Sequence, residues 1–241
     1  MKNYITVAAF LAAGAAFANA EVLIYDFNAE TEVSGNTFTY TANGLTFSAT
    51  TTSDSFIKSG EGSNLANWSS GWNDTSMAEL NGLVSGADAT TGWKDYIYSS
   101  SKNGDITLTV SGLEANSECT IVLFTGTVFE GQGSWNSLQL AGDTTGATAK
   151  IYTSAGSAGS DYTFGNESIE VRNGTAFAIS ATADDSGSVS FLLDSTSNFH
   201  STSLNYVAVS GTASAIPEPS TFGLLAGLGA LALVASRRRR K

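Results

Sequence analysis

Short stretches in which apolar and polar residues alternate recur through the middle of the chain. In residues 105–110, for example, Ile106, Leu108 and Val110 would all fall on one face of an extended strand. A period of two residues is typical of strands that bury one face, so this part of the chain is predicted to be all-β. The strand candidates are residues 22–27, 36–40, 45–50, 105–110, 119–124, 135–140, 147–152, 168–171, 175–181, 187–193 and 203–209.

Turn-forming residues separate these strands. Asn43 and Gly44 lie between two of them and supply the positive φ angles that a tight hairpin needs. Asp184 and Asp185 precede a Ser-Gly pair, which is also typical of a turn. Away from the two ends of the chain, only residues 77–84 favour a helix, and a short one. Many short strands joined by such turns predict an antiparallel β-sandwich.

Two parts of the strand pattern indicate which type of β-sandwich the chain forms. A strand that ends in residues 110–113 is followed by a polar turn and by a strand through residues 121–124. Later, residues 187–193 lead through a loop to residues 204–209. Residues 104–210 thereby resemble the jelly-roll modules of the galactose-binding-like kind found in secreted bacterial proteins. The resemblance implies a jelly roll, with a fibronectin-like sandwich as the alternative, since Gly-Leu turns occur there too.

The start of the chain has the three parts of a secretory signal peptide. Lys2 supplies the positive charge, residues 4–17 form a short apolar stretch, and Ala18 and Ala20 frame a small-x-small cleavage site. Cleavage by signal peptidase would leave Glu21 as the first mature residue. A retained N-terminal anchor is the alternative.

The end of the chain combines a proline-flanked carboxylate, an apolar run and a positive cluster. Pro217, Glu218 and Pro219 precede the 14 apolar residues 222–235. As a transmembrane helix this run would be about 21 Å long, which is marginal for a hydrocarbon core of roughly 30 Å. The terminal charges would hold it in the membrane from the cytoplasmic side. They are Arg237, Arg238, Arg239, Arg240 and Lys241.

This order of parts, over residues 216–241, resembles the PEP-CTERM sorting signal of bacterial surface proteins. The same segment is also called an ice-binding protein C-terminal domain, a label that concerns the tail and does not imply ice binding. The resemblance implies cleavage near residues 217–219 by an exosortase-type membrane transpeptidase. It also implies a Gram-negative cell that makes extracellular polysaccharide. An ordinary C-terminal tail anchor is the alternative.

The sequence therefore predicts three regions: a signal peptide at residues 1–20, a β-sandwich domain at residues 21–214, and a sorting signal with one hydrophobic helix at residues 215–241. The expected protein is exported, held in the membrane by its C-terminus before processing, and then placed at the cell surface or outside the cell. The mature segment up to residue 216 has five basic and 21 acidic residues, a net charge of −16. Such a surface repels nucleic acid, so no nucleic-acid partner is expected.

Constellations of catalytic residues are missing from the sequence. No paired acidic motif of the kind that glycosidases place on strands is present. His200 is the only histidine, and no Gly-x-Ser-x-Gly motif presents a nucleophilic serine to it. Cys119 is the only cysteine, so it forms no internal disulfide, and its position in a strand predicts a small buried hydrophobe. The domain is expected not to be an enzyme.

No cofactor or metal site is predicted from the sequence. One histidine and one cysteine do not make a zinc site without carboxylates. Structural calcium needs only oxygen ligands, which Asp143, Asp184 and Asp185 could contribute, but no specific calcium motif supports it. Plain turns are the preferred interpretation at these aspartates.

Aromatic residues are concentrated in one irregular segment, residues 60–101, which also holds Tyr96 and Tyr98. Indole faces stack on the apolar faces of sugar rings, and nearby amides bind hydroxyl groups. The tentative ligand-binding residues are Trp68, Trp72, Trp93 and Trp135. The alternative is that these side chains fold inward and pin a long loop to the domain.

The expected function is that of an exported surface or extracellular-matrix protein with a non-catalytic domain that binds polysaccharide. A purely structural surface or biofilm protein is the main alternative, and a secreted glycan-active enzyme is a more distant one. The expected partners are signal peptidase, an exosortase-type processing enzyme, extracellular polysaccharide, and the membrane through the C-terminal helix.

Overall fold

The computed structural model describes the chain between residues 20 and 214, with gaps. The described residues are 20–27, 31–51, 56–59, 74–87, 96–99, 105–125, 134–139, 146–153, 159–162, 168–171, 175–195 and 203–214. The predicted signal peptide, apart from Ala20, and the predicted sorting signal lie outside them, so the three-region division stays a prediction. Among the described residues, no helix is both long and apolar enough to cross a bilayer.

The described residues form fifteen strands and one helix. The elements are β1 (Ala20–Asp26), β2 (Thr37–Ala42), β3 (Leu45–Thr51), β4 (Phe56–Ser59), α1 (Asp74–Leu83), β5 (Tyr96–Ser99), β6 (Ile106–Ser111), β7 (Glu118–Thr125), β8 (Ser134–Gln139), β9 (Thr148–Thr153), β10 (Ser160–Tyr162), β11 (Ser168–Val171), β12 (Thr175–Thr182), β13 (Val189–Ser195), β14 (Ser203–Leu204) and β15 (Tyr206–Thr212).

The strands pair antiparallel in three sheets. Sheet 1 has the order β1-β15-β7-β12-β9-β10, and sheet 2 has the order β11-β8-β13-β6-β3-β2. Sheet 3 is small and has the order β14-β5-β4. Each of the eleven strand candidates overlaps an observed strand, and the predicted all-β, antiparallel character is confirmed.

The main core takes side chains from both large sheets. Alternate residues of β6 and β13 in sheet 2 belong to the same buried cluster as alternate residues of β7, β12 and β15 in sheet 1. Ile106, Leu108 and Val110 are all 0% exposed, as the alternation in β6 predicted. Four side chains of β7 and β13 are buried equally in this core: Ile121, Leu123, Val189 and Phe191.

Sheet 1 also buries part of its other face, which we call the outer face. Leu80 and Val84, from α1 and the residue after it, pack there with Tyr96 of β5 in a second cluster. Alanines of β12 and β15 belong to this cluster, and their short side chains let the helix approach the sheet. Because both faces are covered, the run from Ile121 to Phe124 in β7 is buried at every position.

Helix α1 is the short helix expected near residues 77–84, and it begins three residues earlier than predicted. The pattern did not reveal β4, β5 or β10, which are only three or four residues long. It also joined β14 and β15, which Asn205 separates. Strands this short carry few alternating positions, so the pattern identified one of them, β11, and missed these three.

Three turns meet at one end of the domain, which we call the turn end: residues 43–44, 112–117 and 183–188. Asn43 and Gly44 have φ angles of 52° and 77°, as the predicted tight hairpin requires. The Leu113 N–H donates to the Gly187 carbonyl at 3.0 Å. Gly112 has a φ of 84°, and a Cβ there would collide with the carbonyl oxygen of Gly44. The three turns are therefore packed against one another through backbone atoms.

This packing makes the Gly112→Ala variant strongly destabilised. The methyl group would add the strain of a positive φ, roughly 1–2 kcal/mol, to a collision with rigid backbone. Gly35→Ala is the matched control, because Gly35 has a φ of 61° and nothing lies within 4 Å of its added Cβ. Urea unfolding should show a loss of at least about 3 kcal/mol for the first and about 1–2 kcal/mol for the second. Equal losses would contradict the packing of the turns.

Candidate functional site

The tentative ligand-binding tryptophans are mostly beyond the described part of the chain. Trp68, Trp72 and Trp93 lie outside the described residues, as do the sorting residues at 217–219 and 237–240. Trp135 is the second residue of β8, where it is paired with Glu170 of β11. The grouping of the four tryptophans in one site therefore stays a prediction.

The two tyrosines of the same aromatic segment do lie in the described structure. Tyr96 is 5% exposed and belongs to the outer-face cluster, with Tyr98 packed against that cluster. Their ring centroids are 5.7 Å apart. The C-terminal part of the aromatic segment is thus anchored on sheet 1. The packing alternative concerned the tryptophans, so it stays a prediction.

A cleft of about 530 Å³ lies beside α1 on the outer face of sheet 1. Its lining includes charged side chains from three elements, Glu79 of α1, Lys150 of β9 and Asp161 of β10. Lys150 and Asp161 are cross-strand partners, and the Lys150 Nζ lies 3.7 Å from the Glu79 Oε1. Leu83, 40% exposed, contributes an apolar part of the rim. The cleft therefore combines one ion pair, a further carboxylate and an apolar edge.

Tyr152 forms the floor of this cleft and fastens α1 to the sheet. Its hydroxyl donates a hydrogen bond of 2.8 Å to the Glu79 Oε1. Its ring fits closely against Gly159, where any Cβ would lie 2.5 Å from the ring carbon Cζ. Burial raises the pKa of Tyr152 well above its ordinary value, and the hydrogen bond and charge of Glu79 raise it further. The phenol therefore stays protonated and serves as a donor.

A second hollow, of about 420 Å³, continues from the cleft along the outer face. Thr120, Thr148 and Ser180 line both spaces. The strand register puts Thr148, Ser180, Thr120 and Ser210 side by side across β9, β12, β7 and β15. These hydroxyls form a row that we call the hydroxyl row. Sequence reasoning missed it because the row exists only once four distant strands are aligned.

Cys119 is a buried small side chain at the start of β7, as predicted. It is 4% exposed and forms no disulfide. Burial raises the pKa of its thiol to about 11, partly offset by a hydrogen bond with the Ala181 backbone. Because a thiolate is the reactive form of cysteine, this thiol is inert near neutral pH.

Asp184 organises a turn, as the sequence analysis predicted for this aspartate. Its Oδ1 accepts hydrogen bonds from the Ser186 hydroxyl at 2.6 Å and from the N–H groups of Ser186 and Ser188 at 2.8 and 2.9 Å. These bonds lower the pKa of the Asp184 carboxyl. Within the described part of the chain, no three His, Cys, Asp or Glu side chains are grouped closely enough to hold a metal ion.

Residues 215–240 match the family of the PEP-CTERM protein-sorting motif. The chain carries a PEP-CTERM sorting motif. The matched segment begins directly after Ser214, the last described residue. The motif marks an exported protein that passes through the membrane and is sorted by an exosortase, as the resemblance of the tail implied.

Other similarities of the chain are weak. No curated protein matches it. The K1 cleaved adhesin domain of Lys-gingipain from Porphyromonas gingivalis W83 is 10% identical, with a TM-score of 0.35 over 79% of this chain and 98% of that one. Tailspike protein 4 of bacteriophage CBA120 is also 10% identical, with a TM-score of 0.27 over 69% of this chain and 19% of that one. No functional statement follows from either similarity.

The raised pKa of Tyr152 predicts that stability falls at alkaline pH. In the unfolded chain a tyrosine ionises near pH 10, whereas the folded protein keeps this proton. Above about pH 10 the unfolded state therefore binds fewer protons, and the free energy of unfolding declines by up to about 1.4 kcal/mol per pH unit. Tyr152→Phe should make this decline shallower, as measured by urea unfolding from about pH 9 to 11. Equal slopes for the two proteins would contradict the assignment.

Proposed function

We propose that this protein is an exported cell-surface or extracellular-matrix component with a non-catalytic domain that binds a neutral polysaccharide. The observation that carries the sorting part is the PEP-CTERM motif at residues 215–240, which directly follows the folded domain. In this proposal signal peptidase removes residues 1–20. The apolar helix of the tail then holds the protein in the membrane until an exosortase-type enzyme cuts near residues 217–219.

The domain is proposed to be a β-sandwich of jelly-roll type. Two six-stranded antiparallel sheets that share one buried cluster support the sandwich. The turn between β6 and β7 links the two sheets, as does the turn between β12 and β13. Strands that alternate between facing sheets in this way are typical of Greek-key and jelly-roll connections.

Binding of polysaccharide is proposed for the tryptophan-rich segment, with Trp68, Trp72, Trp93 and Trp135 as the contact residues. The net charge of −16 for the mature segment favours a neutral glycan over an acidic one. The hydroxyl row and the cleft beside α1 add uncharged and charged hydrogen-bonding groups on the outer face of sheet 1. A purely structural surface protein is the second candidate, which the packing of Tyr96 into the outer-face cluster favours.

The sorting proposal predicts that the mature protein lacks its tail. Mass spectrometry of the extracellular form should find a C-terminal peptide that ends near residues 217–219. It should find no peptide from residues 224–234. In cells without the processing enzyme, peptides from residues 224–234 should be recovered from the membrane fraction. An intact RRRRK terminus on the surface-exposed protein would contradict the proposal.

The binding proposal predicts different results for exposed and buried tryptophans. If Trp68, Trp72 and Trp93 stack on a glycan, each Trp→Ala change should weaken polysaccharide binding by about 2 kcal/mol and leave the melting temperature nearly unchanged. If they are loop anchors, each change should instead cost roughly 3–5 kcal/mol of folding free energy. Affinity-gel retention and thermal melts of the same variants measure both effects. Large losses of stability, with no glycan binding by the wild-type protein, would reject the carbohydrate hypothesis.

A further inference from the structure

Both ends of the described domain leave it at the turn end, on neighbouring strands. Ala20, the first residue of β1, is paired with Thr212, the last residue of β15. The chain then stays attached for two further residues, because Ala213 forms a bridge to Leu113 and the Ser214 N–H donates to the Gly112 carbonyl at 2.7 Å. The folded domain thus holds its chain as far as Ser214.

The sorting motif follows this attachment point after a very short length of chain. Pro217 is three residues beyond Ser214, which is at most about 10 Å of fully extended chain. The apolar run starts at Phe222, eight residues beyond Ser214, which is at most about 28 Å. An enzyme that cuts this chain at the membrane must therefore work directly beside the turn end.

Hydrogen bonds and burial hold the last strand in the folded domain. The Glu114 N–H donates to the Thr212 carbonyl at 2.7 Å, and β15 is paired along its length with β1 on one side and β7 on the other. Val207 and Val209 of β15 are fully buried in the main core. Peeling the last strand away would expose these apolar side chains to water, which is unfavourable.

We propose that the turn end is a docking surface for the membrane-bound processing enzyme, which acts on the tail while β15 remains paired. This inference rests on the sorting proposed above and adds the surface through which the enzyme recognises the folded domain. The turn end comprises the three turns already defined, together with the first residue of β7 and the last residues of β15. The short tether makes this surface the part of the domain that the enzyme meets.

The charge of the turn end indicates the chemistry of the partner surface. Glu114, Glu118, Asp184 and Asp185 are all exposed there. Lys150 is the one basic residue whose side chain the structure describes, and it is paired with Glu79 beside α1. An acidic surface next to the bilayer repels anionic lipid headgroups and favours a basic patch on a protein partner. The proposed occupant is accordingly a basic, periplasm-facing surface of the processing enzyme.

Charge reversal tests this surface in cells that contain the processing enzyme. The E114K/D185K variant should be processed about 5–10-fold more slowly than the wild type in a pulse-chase experiment, because complementary charges speed association. The matched control is D26K/E32K, which makes the same change in net charge at two exposed carboxylates away from the turn end. The control should be processed at the wild-type rate. Melting temperatures establish that both variants fold, and E114K alone replaces the pair if the loss of the Asn116–Asp185 hydrogen bond destabilises it.

An inserted linker distinguishes the loss of docking from other effects of these charges on the processing rate. Insertion of a Gly/Ser segment of about twelve residues between Ser214 and Ala215 adds about 19 Å of flexible reach. With this linker, the wild-type and E114K/D185K domains should be processed at the same rate. Equal slowing of E114K/D185K and its control, no slowing of either, or slowing that the linker does not relieve would overturn the docking surface. A wild-type protein that keeps its tail in the same cells would instead reject the sorting proposal itself.

Discussion

The burial of sheet 1 on both of its faces is the constraint on which the rest of the structure depends. Its inner face shares the main core with sheet 2, and part of its outer face is covered by α1 and β5. Phe124 and Tyr206 pack edge to face on the outer side with ring centroids 5.8 Å apart. A sheet that is apolar on both sides would expose a large hydrophobic patch without this cover. The short helix and the anchored aromatic segment are therefore required by the composition of β7, β12 and β15.

Polar groups lie on the outer face of sheet 1 where α1 and β5 no longer cover it. Alanine and aromatic side chains lie under α1, and the next positions along the same strands are the hydroxyl row. Glu79 marks the boundary, since it extends from α1 to bind both Tyr152 and Lys150. The cleft and the hollow beside it are thus consequences of a helix that covers only part of a sheet. Within this arrangement the hydroxyl row is an uncharged, hydrogen-bonding strip on a domain that is otherwise strongly acidic.

The turn end is where the chain both enters and leaves the folded domain. Its turns are packed through backbone atoms, at Gly112 against Gly44 and at Leu113 against Gly187, and the strands that carry the chain in and out are paired with each other there. The sorting motif begins at the next residue after this rigid part. The sorting motif and the predicted signal peptide are therefore at opposite ends of the sequence but are joined to the same end of the folded domain.

The sequence by itself determined the local features of this protein. Alternation in β6 and β13 identified one buried face, Asn43 and Gly44 identified a tight hairpin, and the order of residues in the tail identified the sorting motif, because each of these signals depends only on near neighbours in the chain. Tertiary structure alone decided that Tyr206 belongs to the outer-face cluster and that Thr120, Thr148 and Ser180 form a row. It also decided that Ala20 lies beside Thr212. These relationships join strands far apart in sequence, and strand order is set by the packing of whole sheets rather than by any local pattern.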